Sequence, residues 1–324
     1  MKAVIWTKYG DADDLKLQEI EQPIPEPNEI LIKIHFATVT LGDCEFRSLQ
    51  LPLYFSIPIR LYAGVNKPKR LRVLGQEFAG EVEAVGAEVT RFQPGDRVCG
   101  PTGFFMGAYA EYACFSQNQV LGKIPDNVTY EQAAVLGVGG LESYYYLARA
   151  NIQPGEKVII VGAGGSIGTF AVQLALQRGA VVTAVDGAPK FPMLRELGAS
   201  HVIDYKTQDF TRATAKYDVL LDIVGKTPLE RGLQTLNSGG RYLIANPSLF
   251  DGARGKRAGA SRDITVIAGG ETTSQIALDA LLEMLSEGEI NAVVDRRYPL
   301  AQIVEAHKYV ESGKKQGCVV IAVS

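Results

Sequence analysis

β-branched runs and segments of alternating apolar and polar residues occupy much of the first 125 residues of the chain. A period of two predicts β-strands with one buried face, and clusters of Pro and Gly mark the turns between them. The predicted strands are Lys2–Ile5, Leu15–Glu19, Glu29–Thr40, Glu77–Val85 and Arg97–Cys99. This part of the chain therefore predicts an antiparallel β domain that closes into a barrel.

The alternation stops between Leu51 and Arg72. Leu51–Pro58 is rich in apolar and aromatic residues, whereas Lys67–Arg72 is basic. We expect an exposed loop with a solvated basic end. The alternative is a segment that touches a substrate, a partner or a lipid surface.

The period of the pattern changes at Tyr130. Tyr130–Ala150 has helical spacing, and short β-branched runs then alternate with helical runs. The predicted elements are Lys157–Val161, Phe170–Arg178, Ala180–Val185, Phe191–Leu197, His201–Ile203, Tyr217–Ile223, Pro228–Asn237, Arg241–Ala245 and Ile264–Ala268, then helices near Thr273–Glu287 and Ala301–Ser312 and a last strand at Cys318–Val323. This alternation predicts a parallel sheet with helices on both faces.

A cluster of glycines separates the strand Lys157–Val161 from the helix that follows it. Gly162, Gly165 and Gly168 have GxxGxxG spacing, and Gly164 adds a second GxG pattern. Glycine permits the sharp strand-to-helix turn and the close approach of a diphosphate, whose charge a helix N-terminus stabilises. The cluster therefore predicts a dinucleotide site. The residues assigned to the turn are Gly162, Gly164, Gly165, Ser166, Ile167 and Gly168.

Asp186 supports this interpretation. It follows the predicted strand Ala180–Val185, about 20 residues beyond the glycines, where an acid that binds the adenosine ribose belongs. The alternative is a structural strand–turn–helix followed by a fortuitous aspartate.

Composition and charge exclude several classes of protein. The 324 residues are 46% hydrophobic and 21% charged, which is typical of a soluble globular chain. A net charge of -3 gives no general basis for binding nucleic acid or an anionic membrane. No apolar run reaches the roughly 20 residues of a membrane span. The N-terminus has the pattern of a strand and lacks that of a signal peptide, so we expect a cytoplasmic protein.

The cysteines predict neither a disulfide framework nor a zinc cluster. Cys44, Cys99, Cys114 and Cys318 lie far apart in the sequence, with no CxxC pair. The three histidines are equally dispersed. We expect these residues to be packed in the interior.

Five stretches carry a resemblance to a known family, and they occur in the family's order along the whole chain. They are Val73–Gly86, Gly107–Tyr112, Pro154–Val158, Leu197–Tyr205 and Tyr217–Gly225. The chain resembles the medium-chain dehydrogenase/reductase superfamily, and within it the zinc-independent quinone oxidoreductase branch. The resemblance implies a GroES-like domain at residues 1–122, a Rossmann domain at 123–270 and a return segment at 271–324. It also implies a homodimer, joined through the edge of the Rossmann sheet.

The chain departs from the zinc-dependent alcohol dehydrogenases of this superfamily at their metal ligands. Thr40 falls near the first cysteine ligand, and Gln76 replaces the histidine of a Gly-His-Glu motif. Leu136–Ser143 contains no Cys or His for the third position. Because a catalytic zinc takes three strong protein ligands, the sequence predicts an enzyme without a metal.

Without zinc, reduction of an acceptor that takes hydride readily is the favoured chemistry. Quinones and α,β-unsaturated carbonyls need a hydrogen-bond donor for the oxyanion that forms, while reduced nicotinamide supplies the hydride. By position against the family, the cleft is lined by Thr40, Asp43, Tyr54, Gln76 and Tyr109. Thr40 and Tyr54 are assigned as oxyanion or proton donors, and Gln76 as the residue that orients the carbonyl. Asp43 is interpreted as the cap of a turn.

Asp186 also indicates NAD(H) as the cofactor, since a carboxylate accepts hydrogen bonds from the ribose and repels a 2′-phosphate. Lys190 is the nearest basic residue in the sequence. The alternative is that Lys190 and Tyr205, with Asp186 turned away, accommodate NADP(H). Ile223 and Ala245, at the ends of later strands, complete the assigned cofactor-binding residues.

Two other classes of function stay open. One is an alcohol or polyol dehydrogenase of the same superfamily. The other is a cofactor-binding protein with a non-enzymatic role, crystallin-like or RNA-binding, since Lys67–Arg72 and Arg254–Arg262 are locally basic. The overall charge argues against nucleic acid, and the expected partner is a small-molecule carbonyl or quinone.

Overall fold

The computed structural model describes residues 1–248 and 250–324. They form two compact units. The first unit contains Met1–Val138, Ser274–Gly288 and Val294–Ser324, and the second contains Gly139–Thr273 and Glu289–Val293. No helix in these residues is both long enough and apolar enough to cross a bilayer.

The strands are numbered in chain order. They are β1 Lys2–Trp6, β2 Leu15–Glu19, β3 Glu29–Thr38, β4 Glu77–Val85, β5 Arg97–Pro101, β6 Tyr112–Ser116, β7 Gly122–Lys123, β8 Lys157–Val161, β9 Val181–Asp186, β10 His201–Asp204, β11 Tyr217–Asp222, β12 Leu236–Ile244, β13 Thr265–Ala268, β14 Val294–Pro299 and β15 Cys318–Ala322.

The helices follow the same convention. They are α1 Leu41–Ser48, α2 Leu53–Ala63, α3 Tyr130–Ala134, α4 Leu141–Ala150, α5 Ser166–Gln177, α6 Phe191–Glu196, α7 Leu229–Gln234, α8 Asp251–Ala260, α9 Gln275–Ser286 and α10 Ile303–Glu311. Short 3₁₀ turns lie at Ala12–Asp14, Gly103–Phe105, Ala188–Lys190, Phe210–Arg212 and Leu300–Gln302, and a π-helical turn lies at Leu136–Gly140.

A seven-stranded sheet forms the centre of the first unit. Its strands run in the order β14-β15-β3-β4-β5-β7, with β6 also paired to β3. All pairs are antiparallel except β14 with β15. Ile30, Ile32 and Ile34 of β3 are buried in its core, as the alternation in the sequence predicts. Val319 and Ile321 of the last strand belong to the same core.

The second unit contains a six-stranded parallel sheet in the order β10-β9-β8-β11-β12-β13. The central strand β8 buries Val158, Ile159 and Ile160 completely, as expected for a strand that helices cover on both faces. The strand order reverses between β8 and β11, which is where doubly wound sheets bind ligands at their carboxyl ends. The predicted combination of a GroES-like β domain and a Rossmann domain is confirmed.

The prediction of an exposed loop between Leu51 and Arg72 is wrong for half of that segment, because Leu53–Ala63 forms helix α2. The apolar residues occur on every side of this helix and Pro58 stands inside it, so no period of 3.6 marks it in the sequence. The basic stretch Lys67–Arg72 lies outside regular structure, and an isolated β-bridge between Val73 and Ile5 follows it.

The continuous helix expected over Tyr130–Ala150 is also wrong. It is divided into α3 and α4 by the π-helical turn. Gly137 in this turn packs so closely that an added Cβ would lie 2.8 Å from the carbonyl carbon of Gly100 and 2.9 Å from the Cβ of Glu77. The chain therefore packs closely against β4 and β5 where the π-helical turn interrupts the regular helix.

Candidate cofactor and active site

The glycine-rich turn after β8 is held in a shape that only glycine fits at two positions. Gly162 has a φ of +85°, and its N–H donates to Val185 O at 2.9 Å. A Cβ on Gly168 would lie 2.5 Å from the backbone of Ala163 and would also overlap Gly162 O. These two glycines therefore fix the strand-to-helix turn by sterics alone.

Helix α5 begins at Ser166 directly after this turn. Its N-cap is Gly165, which has no side chain to cap the helix, and Ile167 and Gly168 follow in the first turn. A 12-residue helix that begins without a side-chain cap directs N–H groups and the positive end of its dipole toward the turn. This arrangement fits the diphosphate of a dinucleotide.

Asp186 lies at the carboxyl end of β9 and is almost fully buried. Its Oδ2 accepts a hydrogen bond from Gly164 N at 2.8 Å, and its Oδ1 accepts one from Gly187 N at 2.8 Å. Lys190 Nζ forms an ion pair with Oδ1 at 3.0 Å. Because a carboxylate accepts about four hydrogen bonds, Asp186 has room for one ribose hydroxyl, and for two once Lys190 releases it.

The side chain of Lys190 covers the glycine-rich turn. A Cβ on Gly164 would lie 3.2 Å from Lys190 Cβ and would overlap its Cδ. Tyr205, which is 59% exposed, lies beside Gly187, which follows Asp186, with its ring 3.8 Å from the position of a Cβ on Gly187. The sequence places Lys190 near Asp186 but does not predict that it shields Gly164.

Ile223 and Ala245 follow the next two strands of the sheet. A Cβ on Gly162 would lie 3.5 Å from Ile223 Cβ, and Ala245 N donates to Asp222 O at 3.0 Å. Asp222, which the sequence analysis does not assign, is buried and accepts hydrogen bonds from Gly225 N and Thr227 N. The assigned cofactor residues thus meet at the carboxyl ends of β8 to β12.

In the first unit, Thr40 and Asp43 form a capping box at the start of α1. Thr40 Oγ1 accepts a hydrogen bond from Asp43 N at 3.0 Å, and Asp43 Oδ2 accepts one from Thr40 N at 2.8 Å. The interpretation of Asp43 as a cap is therefore confirmed. The box also fixes the rotamer of Thr40, whose hydroxyl is a candidate donor.

The hydroxyl of Thr40 lies between two acceptors. Its Oγ1 is 2.7 Å from Asp43 Oδ2 and 2.8 Å from Gln76 Oε1, yet it carries one hydrogen. Both contacts are hydrogen bonds when Asp43 is protonated and donates to Thr40, or when the Gln76 amide is reversed and its Nε2 donates. Burial raises the pKa of Asp43 to about 6, against the effect of hydrogen bonds from Thr40 and from the backbone of Gln76 and Gly75.

Glu77 lies beside this group and is fully buried on β4. Its Oε1 accepts a hydrogen bond from Thr38 Oγ1 at 2.6 Å, and its Oε2 accepts one from Val138 N in the π-helical turn at 2.6 Å. Burial raises the pKa of Glu77 to about 8, although both hydrogen bonds act in the opposite direction. Glu77 has no role predicted from the sequence. The one feature that could have indicated it is an acidic residue at a buried position of β4.

Tyr109 and Tyr54 occupy different environments. Tyr109 is fully buried and donates to Thr38 O at 3.1 Å, so it supports the polar group from inside the core. Tyr54 lies on α2, is 38% exposed and has Phe55 as a ring neighbour at 4.8 Å. The hydrogen bonds described for residues 1–248 and 250–324 connect Thr40, Asp43 and Gln76 but do not include Tyr54.

The described residues contain no group of three His, Cys, Asp or Glu side chains arranged to hold a metal ion. Cys44 is the cysteine nearest Thr40 in the sequence, and its Sγ lies 3.4 Å from His307 Nδ1 in the interior. Burial raises the pKa of the Cys44 thiol and, with the charge of Arg47, lowers the pKa of His307 to about 3. This pair is therefore a neutral thiol beside a neutral imidazole.

Two family models match the chain. Residues 26–126 match the family described as "Alcohol dehydrogenase GroES-like domain", and residues 197–321 match the family described as "Zinc-binding dehydrogenase". The two matches fall on the β domain and on the later part of the chain.

Individual proteins of known name are similar over nearly the whole chain. The mitochondrial NAD(P)H oxidoreductase RTN4IP1 of Bos taurus is 29% identical, over 100% of this chain and 89% of the relative. The 2-methylene-furan-3-one reductase of Solanum lycopersicum is 28% identical, over 99% and 79%. The solved structure of the quinone oxidoreductase from Coxiella burnetii has a TM-score of 0.89 and 27% identity, over 100% and 99%.

Proposed function

This chain belongs to the medium-chain dehydrogenase/reductase superfamily, and on that premise we propose that it transfers hydride from NAD(P)H to a quinone or an α,β-unsaturated carbonyl. The observation that carries this proposal is the hydrogen bond of 2.8 Å between Thr40 and Gln76. It puts a neutral hydroxyl and a neutral amide where relatives that use zinc have metal ligands. Relatives named for a quinone and for a methylene-furanone, an exocyclic enone, support the same chemistry.

The donors at this position do not fit the zinc that one family description names. Zinc in enzymes is bound by thiolate, imidazole or carboxylate, and a hydroxyl and an amide are weak substitutes. The one nearby carboxylate on β4, Glu77, has both oxygens in hydrogen bonds to Thr38 and Val138. We therefore propose a reaction that needs no metal.

Thr40 has the central chemical role in this proposal. When hydride reaches an enone or a quinone, negative charge develops on the acceptor oxygen, and a fixed hydroxyl donor lowers the energy of that charge. Protonated Asp43 donates to Thr40 Oγ1, and the Thr40 hydrogen, which Gln76 Oε1 accepts in the structure, is proposed to turn to the acceptor oxygen when substrate binds. Gln76 and Tyr54 are proposed to orient the carbonyl and to supply a second donor.

The second unit is proposed to bind the cofactor through the turn Gly162–Gly168. The reduced nicotinamide supplies the hydride. We propose a preference for NADH over NADPH, because the buried carboxylate of Asp186 opposes a 2′-phosphate. Lys190 reduces this preference, since its ion pair with Asp186 offsets part of the carboxylate charge.

Oxidation of NADH and NADPH in parallel tests the proposal, with protein treated with a chelator and a panel of quinones and enones as acceptors. We expect turnover with NADH above that with NADPH, and a rate that falls as the pH rises through about 6, where Asp43 loses its proton. Absence of turnover with every acceptor would contradict the proposed activity. Activity that the chelator abolishes and zinc restores would contradict the metal-free mechanism.

We also propose that the chain acts in the cytoplasm as a homodimer. β13 is the edge strand of the six-stranded sheet, and an edge strand can pair with the same strand of a second copy. Sedimentation equilibrium tests this proposal, with a mass of twice 35.0 kDa expected. Fractionation of cells that express a tagged chain tests the compartment.

A further inference from the structure

Helix α2 exposes apolar side chains on the faces where a surface helix ordinarily carries polar ones. Its buried positions are Ser56, Ile59 and Ala63, spaced by three and four residues. Leu53 and Leu61 on the other side are 75% and 71% exposed. The large exposed side chains of the helix are Leu53, Tyr54, Phe55, Ile57 and Leu61. A helix that is apolar on its solvent side has a contact surface for something outside the unit.

Aromatic residues of a neighbouring turn extend this surface. Phe104 and Phe105 are both more than half exposed, and the ring of Tyr62 lies 5.3 Å from Phe104 and 6.2 Å from Phe105. The guanidinium of Arg70 lies 6.0 Å from the centre of the same Tyr62 ring. Apolar, aromatic and basic side chains thus form one continuous surface.

The charged side chains in the α2 helix and the stretch that follows it are all basic. Residues 53–72 contain no Asp or Glu, although the whole chain has a net charge of -3. The exposed cations are Arg60, Lys67, Lys69, Arg70 and Arg72. In the described part of the chain, no acidic side chain forms an ion pair with any of these five. Lys69 N and Arg70 N donate to Ala63 O, which holds the basic turn against the end of α2.

We propose that this surface, the α2 face, docks on an anionic lipid bilayer. The α2 face consists of Leu53, Phe55, Ile57, Leu61, Val65, Phe104 and Phe105 with the five cations. Apolar side chains of a surface helix enter the boundary between headgroups and acyl chains, and Lys and Arg extend to the anionic headgroups. Tyr62, which packs beside Phe104 and Phe105, has the amphipathic ring that is enriched at this interface.

The chemistry of the α2 face favours lipid over two other occupants. A symmetric dimer through this face would bring the five cations of one copy against the same five of the other, without an acidic residue to separate them. Nucleic acid would neutralise the cations, and Phe55, Phe104 and Phe105 offer rings on which bases can stack, but the four exposed aliphatic side chains Leu53, Ile57, Leu61 and Val65 would gain no apolar contact from it. An anionic bilayer offers headgroup charges to the cations and an apolar interior to the aliphatic side chains.

Vesicle flotation tests the proposal on the intact protein. We expect binding to vesicles of phosphatidylcholine with phosphatidylserine, weak binding to phosphatidylcholine alone, and weaker binding as salt increases. Each basic residue near an anionic surface strengthens binding about fivefold, so K67Q/K69Q/R70Q should bind about a hundredfold more weakly. Leu61→Ser should weaken binding about tenfold by removing one apolar side chain from the interface.

Two control variants make the same chemical changes elsewhere. R254Q/K256Q/R257Q neutralises three exposed cations of α8, and Ile24→Ser removes a side chain that is 87% exposed. Both should bind vesicles as the unaltered protein does. Equal binding to the two kinds of vesicle, or equal loss in the α2-face and α8 triple variants, would overturn the proposal.

Two further results would replace lipid with another occupant. Self-association that Leu61→Ser abolishes, in protein that does not bind vesicles, would assign the α2 face to a second copy. Salt-sensitive binding of an RNA oligonucleotide that the K67Q/K69Q/R70Q variant loses, without vesicle binding, would assign it to nucleic acid. Both results come from binding measurements, so the proposed reductase activity has no influence on the outcome.

Discussion

The two polar regions of this protein are built in opposite ways. In the second unit, the turn from Gly162 to Gly168 is contiguous in the sequence, and backbone geometry and the absence of side chains define it. In the first unit, the group around Thr40 and Glu77 combines side chains from β3, α1 and β4 with a backbone N–H of the π-helical turn. The first kind of site can be predicted from a local pattern, whereas the second exists only once distant strands have paired.

A loss of both stability and cofactor binding is expected when the backbone-defined turn is altered. Gly168→Ala forces a Cβ against Ala163 and Gly162 O, so we expect a loss of about 1–3 kcal/mol of stability and of NADH binding. Thermal unfolding and fluorescence titration with NADH measure the two losses.

Gly165→Ala is the matched control for this substitution. Its Cβ would lie 3.7 Å from Gly162 O, an ordinary contact, and its φ of −95° suits alanine. This variant should keep its stability but bind NADH more weakly, because the methyl group stands where the diphosphate approaches the turn. Equal stability of the two variants would show that the turn is less constrained than the structure indicates.

In the first unit, loss of the Thr40 hydroxyl alone should lower the rate of catalysis. Thr40→Val should lower kcat by about 10²–10³-fold, the usual effect of removing one oxyanion donor, while the Kd for NADH stays the same. Steady-state kinetics and NADH titration measure these quantities. Thr40→Ser should retain most of the activity.

Thr129→Val separates catalysis from helix capping. Thr129 forms the same kind of capping box with Gln132 at the start of α3. Both valine variants should lose about 1 kcal/mol of stability, the usual effect of a lost cap. A similar fall in kcat in both variants would assign the Thr40 effect to the cap.

The sequence predicts strands and the glycine-rich turn better than it predicts contacts between distant side chains. The strands β2 and β4 have the predicted bounds, because apolar and polar residues alternate in the sequence along Leu15–Gln18 and along Glu81–Ala84. The role of Glu77 could not be predicted, since Thr38 and Val138 reach it only through the fold. The position of Lys190 over Gly164 also depends on a rotamer that no pattern encodes. The domain boundaries at residues 122 and 270 stay a prediction.

The buried carboxyl of Glu77 should make stability depend on pH. Its folded pKa of about 8 is above the ordinary value of 4.5, so between these values the folded state holds a proton that the unfolded state has lost. Stability should therefore fall as the pH rises from about 4.5 to about 8 and level off above it. Glu77→Gln should make this fall smaller without removing it, because Asp43, with a pKa of about 6, and Glu142, with a pKa of about 7, contribute in the same direction. Urea unfolding at several pH values measures the difference.

Glu83→Gln on the solvent face of the same strand is the control for Glu77→Gln. Glu83 is exposed, so its substitution should leave the pH dependence of stability as it is. A wild-type pH profile for Glu77→Gln would show that another group causes the dependence.

A smaller effect, on the preference for NADH over NADPH, is expected when the charge of Asp186 is removed. Asp186→Asn removes the carboxylate that opposes a 2′-phosphate and frees Lys190 from its ion pair. We expect the ratio of kcat/KM for NADPH to that for NADH to rise about tenfold, equivalent to 1.4 kcal/mol. Adding Lys190→Gln should cancel the gain, whereas adding Lys206→Gln should leave it. A ratio unchanged by Asp186→Asn would remove Asp186 as the determinant of cofactor choice.

Transfer of deuterium from NADH to an enone is the most direct test of the proposed hydride transfer without a metal. Chelator-treated protein would be given an enone and NADH that carries deuterium at the transferable position of nicotinamide C4, and the product would be analysed by NMR. We expect one deuterium at the β-carbon of the saturated product, with the α-hydrogen taken from solvent. A product without deuterium, or transfer that appears only after zinc is added, would contradict it.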